Sequence, residues 1–257
     1  YQAVYQQLYQ IFDRTFIHDS YASREGKGTH AGVKRFQLFA RKVSANYTRP
    51  AFVLKCDIRK FFDGINHEVL SRLLSRKVAD TRLLELLCRI LDSFETASGK
   101  GLPLGNVTSQ LFANIYLNEL DQFAKHTLKV RCYIRYCDDF VILHERQDEL
   151  LSLVERIRDF LREQLLLELH PHKVTLRKLR QGMDFLGYVS LPHYSVLRAR
   201  TKRRMLRRLV LIAGGVQSKK DFETALPVIN SYLGLLCHCK GKKLWRVIEK
   251  LFEKFFG

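Results

Sequence analysis

The sequence predicts an α+β fold. Its β-forming runs are short and clustered, its helical runs are longer, and the two never settle into the strand–helix rhythm of a parallel sheet. Residues 1–17 carry apolar side chains near the helical period (Val4, Leu8, Ile11, Phe12, Phe16). SYASREGKGTH (20–30) is a loop broken by Gly26 and Gly28, and a helix follows over about 30–45. AFVLKCDI (51–58) alternates behind Pro50 and predicts a strand. Helical spacing returns at 66–78 and 80–95, separated by the Gly/Pro loop SGKGLPLG (98–105) from a long helix over 107–127. CYIRY and FVILH (132–136 and 140–144) predict a hairpin with Cys137, Asp138 and Asp139 between the strands. Residues 149–166 form an amphipathic helix, short strands fall near 173–178 and 184–190, and basic helices dominate from Val196 onward.

The composition narrows the partner more than the fold. Lys and Arg outnumber Asp and Glu by 44 to 26, a formal charge of +18, which points to a polyanion, with nucleic acid ahead of a membrane surface. An apolar share of 46% supports a packed core, yet no run reaches the 18 apolar residues of a membrane span. The six cysteines show no CxxC pair, and Cys237-His238-Cys239 is too short a spacing for a zinc site. Free thiols imply a cytoplasmic protein. The start at Tyr1, without an initiator Met and without a signal peptide, suggests a trimmed fragment.

Asp138 and Asp139 set the chemical question. Buried carboxylates are costly, and adjacent ones repel. A third carboxylate on a neighbouring strand would complete a site for two divalent cations whose charge cancels that repulsion. Oxygen-rich sites suit Mg²⁺, with Mn²⁺ as the alternative, and two such ions support in-line phosphoryl transfer. Asp57, at the end of the 51–58 strand, is the candidate. Asp63 lies beyond it and reads as a cap of the next helix. Taken alone, Asp57 also fits a cap or turn residue, and Asp138-Asp139 an exposed hairpin turn.

Five stretches in order resolve that ambiguity. RYCDDFVIL (135–143), KCDIRKFFDGINH (55–67), GLPLGNVTSQLFANIYLNELD (101–121), HPHKVTLRKLRQGMDFLGY (170–188) and SYASREGKGTH (20–30) resemble the motifs of bacterial reverse transcriptases. The resemblance implies a right-hand polymerase fold. Residues 1–50 would be fingers, their N-terminal part missing. Residues 51–195 would be an antiparallel palm with inserted fingers elements, and 196–257 a helical thumb. Pro103-Leu104-Gly105 replaces the family's usual Pro-Gln-Gly, and Ser109-Gln110 its Ser-Pro. Both departures resemble the enzymes of diversity-generating retroelements, bacterial or phage-encoded, which copy an RNA template with errors at adenine and work with a small accessory protein.

The resemblance also assigns roles. Asp57, Asp138, Asp139 and the Ile58 carbonyl would hold the metals, and the first three would be catalytic. Phe62 would be the steric gate that favours dNTP. Arg24, Lys27, Leu104, Gly105 and Lys173 would contact the nucleotide, Lys173 at the leaving pyrophosphate, while Asn114 supports the loop or the sugar. Phe185, Leu186 and Gly187 would form the primer grip. Seven cations within residues 198–208, among them Arg200, Arg203, Arg204 and Arg207, repel one another unless a polyanion faces them. Template RNA and a DNA or RNA primer are the implied partners. Two alternatives stay open: a group II intron-like or defence-associated reverse transcriptase, and a catalytically silent RNA-binding subunit.

Overall fold

The computed structural model describes residues 2–103 and 105–253, and Leu104 lies outside them. Residue contacts gather into two units, Tyr1–Lys178 and Leu179–Gly257. The sequence boundary near 195 marks a rise in basic density, whereas this division follows packing and puts the 183–197 strands with the basic helices.

The first unit opens with α1 (Gln2–Phe12), a 3₁₀ turn and α2 (Thr29–Val43). Strand β1 (Phe52–Asp57) leads into the short α3 (Phe61–Gly64), then α4 (His67–Ser75), α5 (Thr81–Asp92) and α6 (Val107–Gln122). A π-helical turn at Phe123–Thr127 ends α6, so the helix expected over 107–127 changes pitch in its last turn. Strands β2 (Tyr133–Tyr136) and β3 (Asp139–His144), helix α7 (Gln147–Gln164) and β4 (Thr175–Lys178) complete the unit. Side-chain caps set several boundaries. Asn66 Oδ1 accepts from Val69 N at 2.9 Å, and Asp80 Oδ1 from Arg82 N at 2.9 Å. Asn66 therefore takes the capping role expected of Asp63, which lies inside α3.

The four strands form an antiparallel sheet in the order β2-β3-β1-β4. Its central strands are apolar: Val53, Leu54, Cys56, Phe140, Val141 and Ile142 are fully buried. Removing each such large side chain from water contributes roughly 1.5–3 kcal/mol. Helix α6 is buried on nearly every side, from Thr108 to Asp121, which is why its sequence lacks a polar face.

The second unit holds a three-stranded antiparallel sheet, β5 (Met183–Phe185), β6 (Tyr188–Leu191) and β7 (Tyr194–Leu197). One strand was expected near 184–190. The Leu186-Gly187 turn splits it in two, and β7 follows unforeseen. Helices α8 (Ala199–Gly215), α9 (Lys219–Leu236) and α10 (Lys242–Leu251) finish the unit. Among the described residues no helix is long and apolar enough to cross a membrane.

Candidate active site

Register brings the acidic residues together. Asp57, last in β1, pairs with Asp139, first in β3. Directly opposed residues share a face, with Cβ atoms about 4.5–5.5 Å apart. Tyr136 also pairs with Asp139, so the hairpin turn is only Cys137-Asp138 and Asp139 already belongs to the strand. Cys137 has φ 55°, the left-handed region that position i+1 of a type II′ turn requires and that glycine usually supplies. Three carboxylates thus occupy one end of the sheet.

Their electrostatics are unfavourable as they stand. Burial pushes the Asp138 carboxyl above its ordinary range, and Asp57 and Asp139 push it further. Burial also raises Asp139, against the pull of Lys55. Lys55 Nζ lies 3.5 Å from Asp139 Oδ2, and Lys173 Nζ lies 3.1 Å from both oxygens of Asp57. Asp139 Oδ1 is buried with no hydrogen-bond partner. Among the described residues no three His, Cys, Asp or Glu side chains close into a ready metal cage; lysines hold two of the three carboxylates instead. The donor set nonetheless fits a hard cation. It is all oxygen, it repels itself, and it includes a buried carboxylate oxygen in need of a positive partner.

Ile58 is 1% exposed and bridges Leu169. Arg59 N donates to Glu168 O at 2.8 Å and His170 N to Asp57 O at 2.8 Å. That pattern turns the amide and carbonyl of Ile58 away from the 168–170 segment. Phe61 points into the core and Phe62 is half-buried, its ring meeting Phe61 edge-on at 5.4 Å. The Phe62 carbonyl accepts from Leu102 N at 2.9 Å, so the Gly/Pro loop fixes the backbone beneath that ring. Gly105 has φ +87°, and a Cβ built there meets nothing. Its glycine answers to backbone conformation rather than to a close approach within the chain.

The 20–30 loop differs most from expectation. Arg24 faces inward, with a side chain only 8% exposed. Its Nε donates to Asp13 Oδ1 at 2.6 Å, and its terminal nitrogens donate to the carbonyls of Ile17, Ser20 and Asp13. Desolvation and a matched carboxylate thus commit to the loop the fork expected for phosphate. Lys27 donates to His18 O at 3.0 Å and lies over the Tyr21 ring. Asn114 is buried and supports the loop, donating from Nδ2 to Ala22 O at 2.9 Å. Ser23 Oγ donates to Gln110 Oε1 at 2.7 Å, a second tie between loop and α6.

Sequence reasoning missed a buried ion pair beneath the site. Arg135 and Asp121 are both fully buried, with Nη2 2.6 Å from Oδ2 and Nε 2.8 Å from Oδ1. Tyr133 Oη donates to Asp121 Oδ1 at 2.8 Å. The signal was present: an acid on a helix with no polar face must have a partner.

In the second unit, Leu186 and Gly187 have φ 53° and 86° and form a two-residue type I′ turn between β5 and β6. Phe185 is 1% exposed and serves as core. On α8, Met205 and Leu209 face inward, while Arg200, Arg203, Arg204 and Arg207 are exposed. Arg198 pairs with Asp184 at 2.6 Å.

The antiparallel sheet, with carboxylates at a hairpin turn and at an opposed strand end, agrees with the right-hand polymerase fold that the sequence motifs imply. The family model "Reverse transcriptase (RNA-dependent DNA polymerase)" matches residues 1–190, and the chain belongs to that family. Protein YkfC of Escherichia coli K12 is 26% identical over 217 residues, 69% of this chain and 56% of its own length. The group II intron-encoded protein LtrA of Lactococcus lactis is 22% identical over 249 residues, 70% of this chain and 40% of its own length. Among solved structures, telomerase from Candida albicans, in complex with a fragment of telomeric RNA, covers 99% of this chain at TM-score 0.60 and 14% identity. That likeness speaks to fold. The chain spans 40–56% of the length of these two curated relatives.

Proposed function

We propose that the chain carries the catalytic centre of an RNA-directed DNA polymerase that copies template RNA from a primer with dNTPs. The observation that carries this reading is the Asp57–Asp139 register with Asp138 in the adjoining turn, in a chain of the reverse transcriptase family. Asp57, Asp138, Asp139 and the Ile58 carbonyl would hold Mg²⁺, or Mn²⁺ in its place. When bound, such ions supply positive charge to the attacking and leaving oxygens of a phosphoryl transfer. Phe62, half-exposed above a fixed backbone, would exclude a 2′-hydroxyl by volume. Lys173, already within 3.1 Å of Asp57, would hold a proton near the leaving group. Gly105 and Lys27 would border the nucleotide, Leu186 and Gly187 would steady the primer, and the exposed arginines of α8 would neutralise duplex phosphates.

The finer reading is an enzyme of the diversity-generating type, cytoplasmic and acting with a small accessory protein. Leu104 and the Ser109-Gln110 pair support it: a leucine cannot hydrogen-bond a base or nucleotide as glutamine could, which loosens geometry at the pair being formed. The intron-encoded relatives favour a second reading, a group II intron-like enzyme.

Primer extension on an RNA template with Mg²⁺ tests both levels. Asp138→Ala should lower incorporation by about 10²–10³-fold, the scale of losing one fixed electrostatic group. Equal incorporation by variant and wild type rejects the site, and none by either favours a silent RNA-binding subunit. Sequenced products should carry adenine-biased errors that fall with Leu104→Gln. Uniform errors indifferent to that change favour the intron-like enzyme.

A further inference from the structure

Arg135 is a buried cation whose hydrogen-bonding capacity is fully used. A guanidinium has five N–H groups. Nε–H goes to Asp121 Oδ1 at 2.8 Å; Nη2 serves Asp121 Oδ2 at 2.6 Å and Ser20 Oγ at 3.1 Å. Nη1 serves Asn114 Oδ1 at 3.1 Å and the Cys137 carbonyl at 3.1 Å. Neutralising Asp121 requires only the first two of these bonds. The last reaches the peptide that joins Cys137 to Asp138.

That peptide is the sensitive point of the turn. Cys137 holds a left-handed φ of 55°, a conformation costly for any residue that carries a side chain. A conformation of that kind persists only where its surroundings impose it. The peptide unit is planar, so fixing the Cys137 oxygen fixes the plane from which the Asp138 backbone departs. The main chain of Arg135 is also bonded, its N–H to Asp19 O and its carbonyl to Tyr21 N, both at 2.9 Å. Asn114 completes the circuit by bonding Arg135 at Oδ1 and Ala22 O at Nδ2. One side chain therefore ties the 19–22 segment, helix α6 and the Asp138 turn together.

We infer that Arg135 is a positioning residue: it holds the Cys137–Asp138 peptide so that Asp138 presents its carboxylate toward Asp57 and Asp139, and it couples that orientation to the packing of the 19–22 segment. The inference rests on the polymerase reading and concerns how its site is held.

Two variants separate positioning from bulk stability. Arg135→Lys keeps a cation for Asp121, but an ammonium cannot span both Asp121 and Cys137 O. The triple variant Asp121→Leu/Tyr133→Phe/Arg135→Met replaces the ion pair and the hydroxyl bonded to it with apolar groups of similar volume, an exchange that buried ion pairs often tolerate. Each is made in the full-length protein. Thermal unfolding reports the fold, Mn²⁺ binding followed by electron paramagnetic resonance without nucleic acid reports the carboxylates, and primer extension reports kcat and dNTP KM. We expect both variants to fold, Mn²⁺ affinity to fall about tenfold, the scale for losing an outer-shell partner, and kcat to fall at least tenfold with KM within about twofold. Folded variants with Mn²⁺ affinity and kcat within twofold of wild type overturn the inference. So does loss of fold in both, which makes Arg135 a stability residue alone. Failure of the polymerase reading looks different: wild type itself extends no primer.

Discussion

Within the 135–139 stretch the chain treats buried charge in two opposite ways. At Arg135 every donor has an acceptor, and Asp121 receives a fork from Arg135 and a hydroxyl from Tyr133. At Asp138 and Asp139 the carboxylates crowd one another and Asp57, and one buried oxygen of Asp139 has no partner. Both arrangements carry the desolvation cost of charge. The first returns it within the protein, whereas at the second Lys55 and Lys173 offset only part of it. The difference separates the two roles: matched charge builds the scaffold, and unmatched charge remains available for something that arrives.

The largest effect expected from breaking this comparison is on the matched side. Asp121→Ala removes one partner and leaves Arg135 charged in a fully buried setting. Breaking a buried pair in this way costs about 3–5 kcal/mol. Urea unfolding should show the midpoint falling steeply with the slope unchanged. A loss under 1 kcal/mol would mean that water reaches Arg135, and the contrast with the turn would dissolve.

A smaller effect is expected at Lys173, whose side chain is 54% exposed while that of Asp57 is 15% exposed. Such a pair contributes at most about 1 kcal/mol. Lys173→Ala should therefore leave unfolding nearly unchanged while slowing primer extension, which places its value in chemistry rather than stability. A loss of stability comparable to that of Asp121→Ala would show that the lysine is part of the scaffold.

The two regions also differed in how far the sequence revealed them. Asp57, Asp138 and Asp139 stood out because acids inside apolar strands violate the local pattern, and their order matched a family. Their register was not legible: the sequence runs the first strand on through Ile58 and leaves Asp139 in the turn, whereas the structure ends β1 on Asp57 and starts β3 on Asp139, directly opposite. Arg135 was hidden by strand alternation: in Tyr133-Ile134-Arg135-Tyr136 a charged residue reads as facing solvent, yet all four strand positions are buried or nearly so. Arg24 misled for the same reason in reverse. A glycine-bearing basic loop suggests a phosphate ligand, and only the fold reveals Asp13 waiting for the guanidinium. Strand β7 was missed because the turn residues at 192–193 close a hairpin after a run short enough to pass for one strand.

The smallest effect is the most diagnostic, because its sign opposes ordinary mutational damage. Burial first, then Asp57 and Asp139, raise the folded-state pKa of Asp138 above the usual 3.8. Between those two values the unfolded chain has released its proton and the folded chain still holds it, so stability falls as pH rises. The contribution is complete below the unfolded pKa and lost once pH passes the folded one. At neutral pH without divalent cation, Asp138 therefore weakens the fold. Asp138→Asn, close in size and neutral, should raise Tm at pH 7, and the gain should shrink as the buffer is taken toward pH 4. Mg²⁺ should narrow the gap from the other side, because a ligand that binds only the folded wild type stabilises it by mass action. Scanning calorimetry across pH and Mg²⁺ checks both trends. A variant less stable than wild type at every pH would mean that the Asp138 carboxylate is already compensated, as Asp121 is. The turn would then be another piece of scaffold.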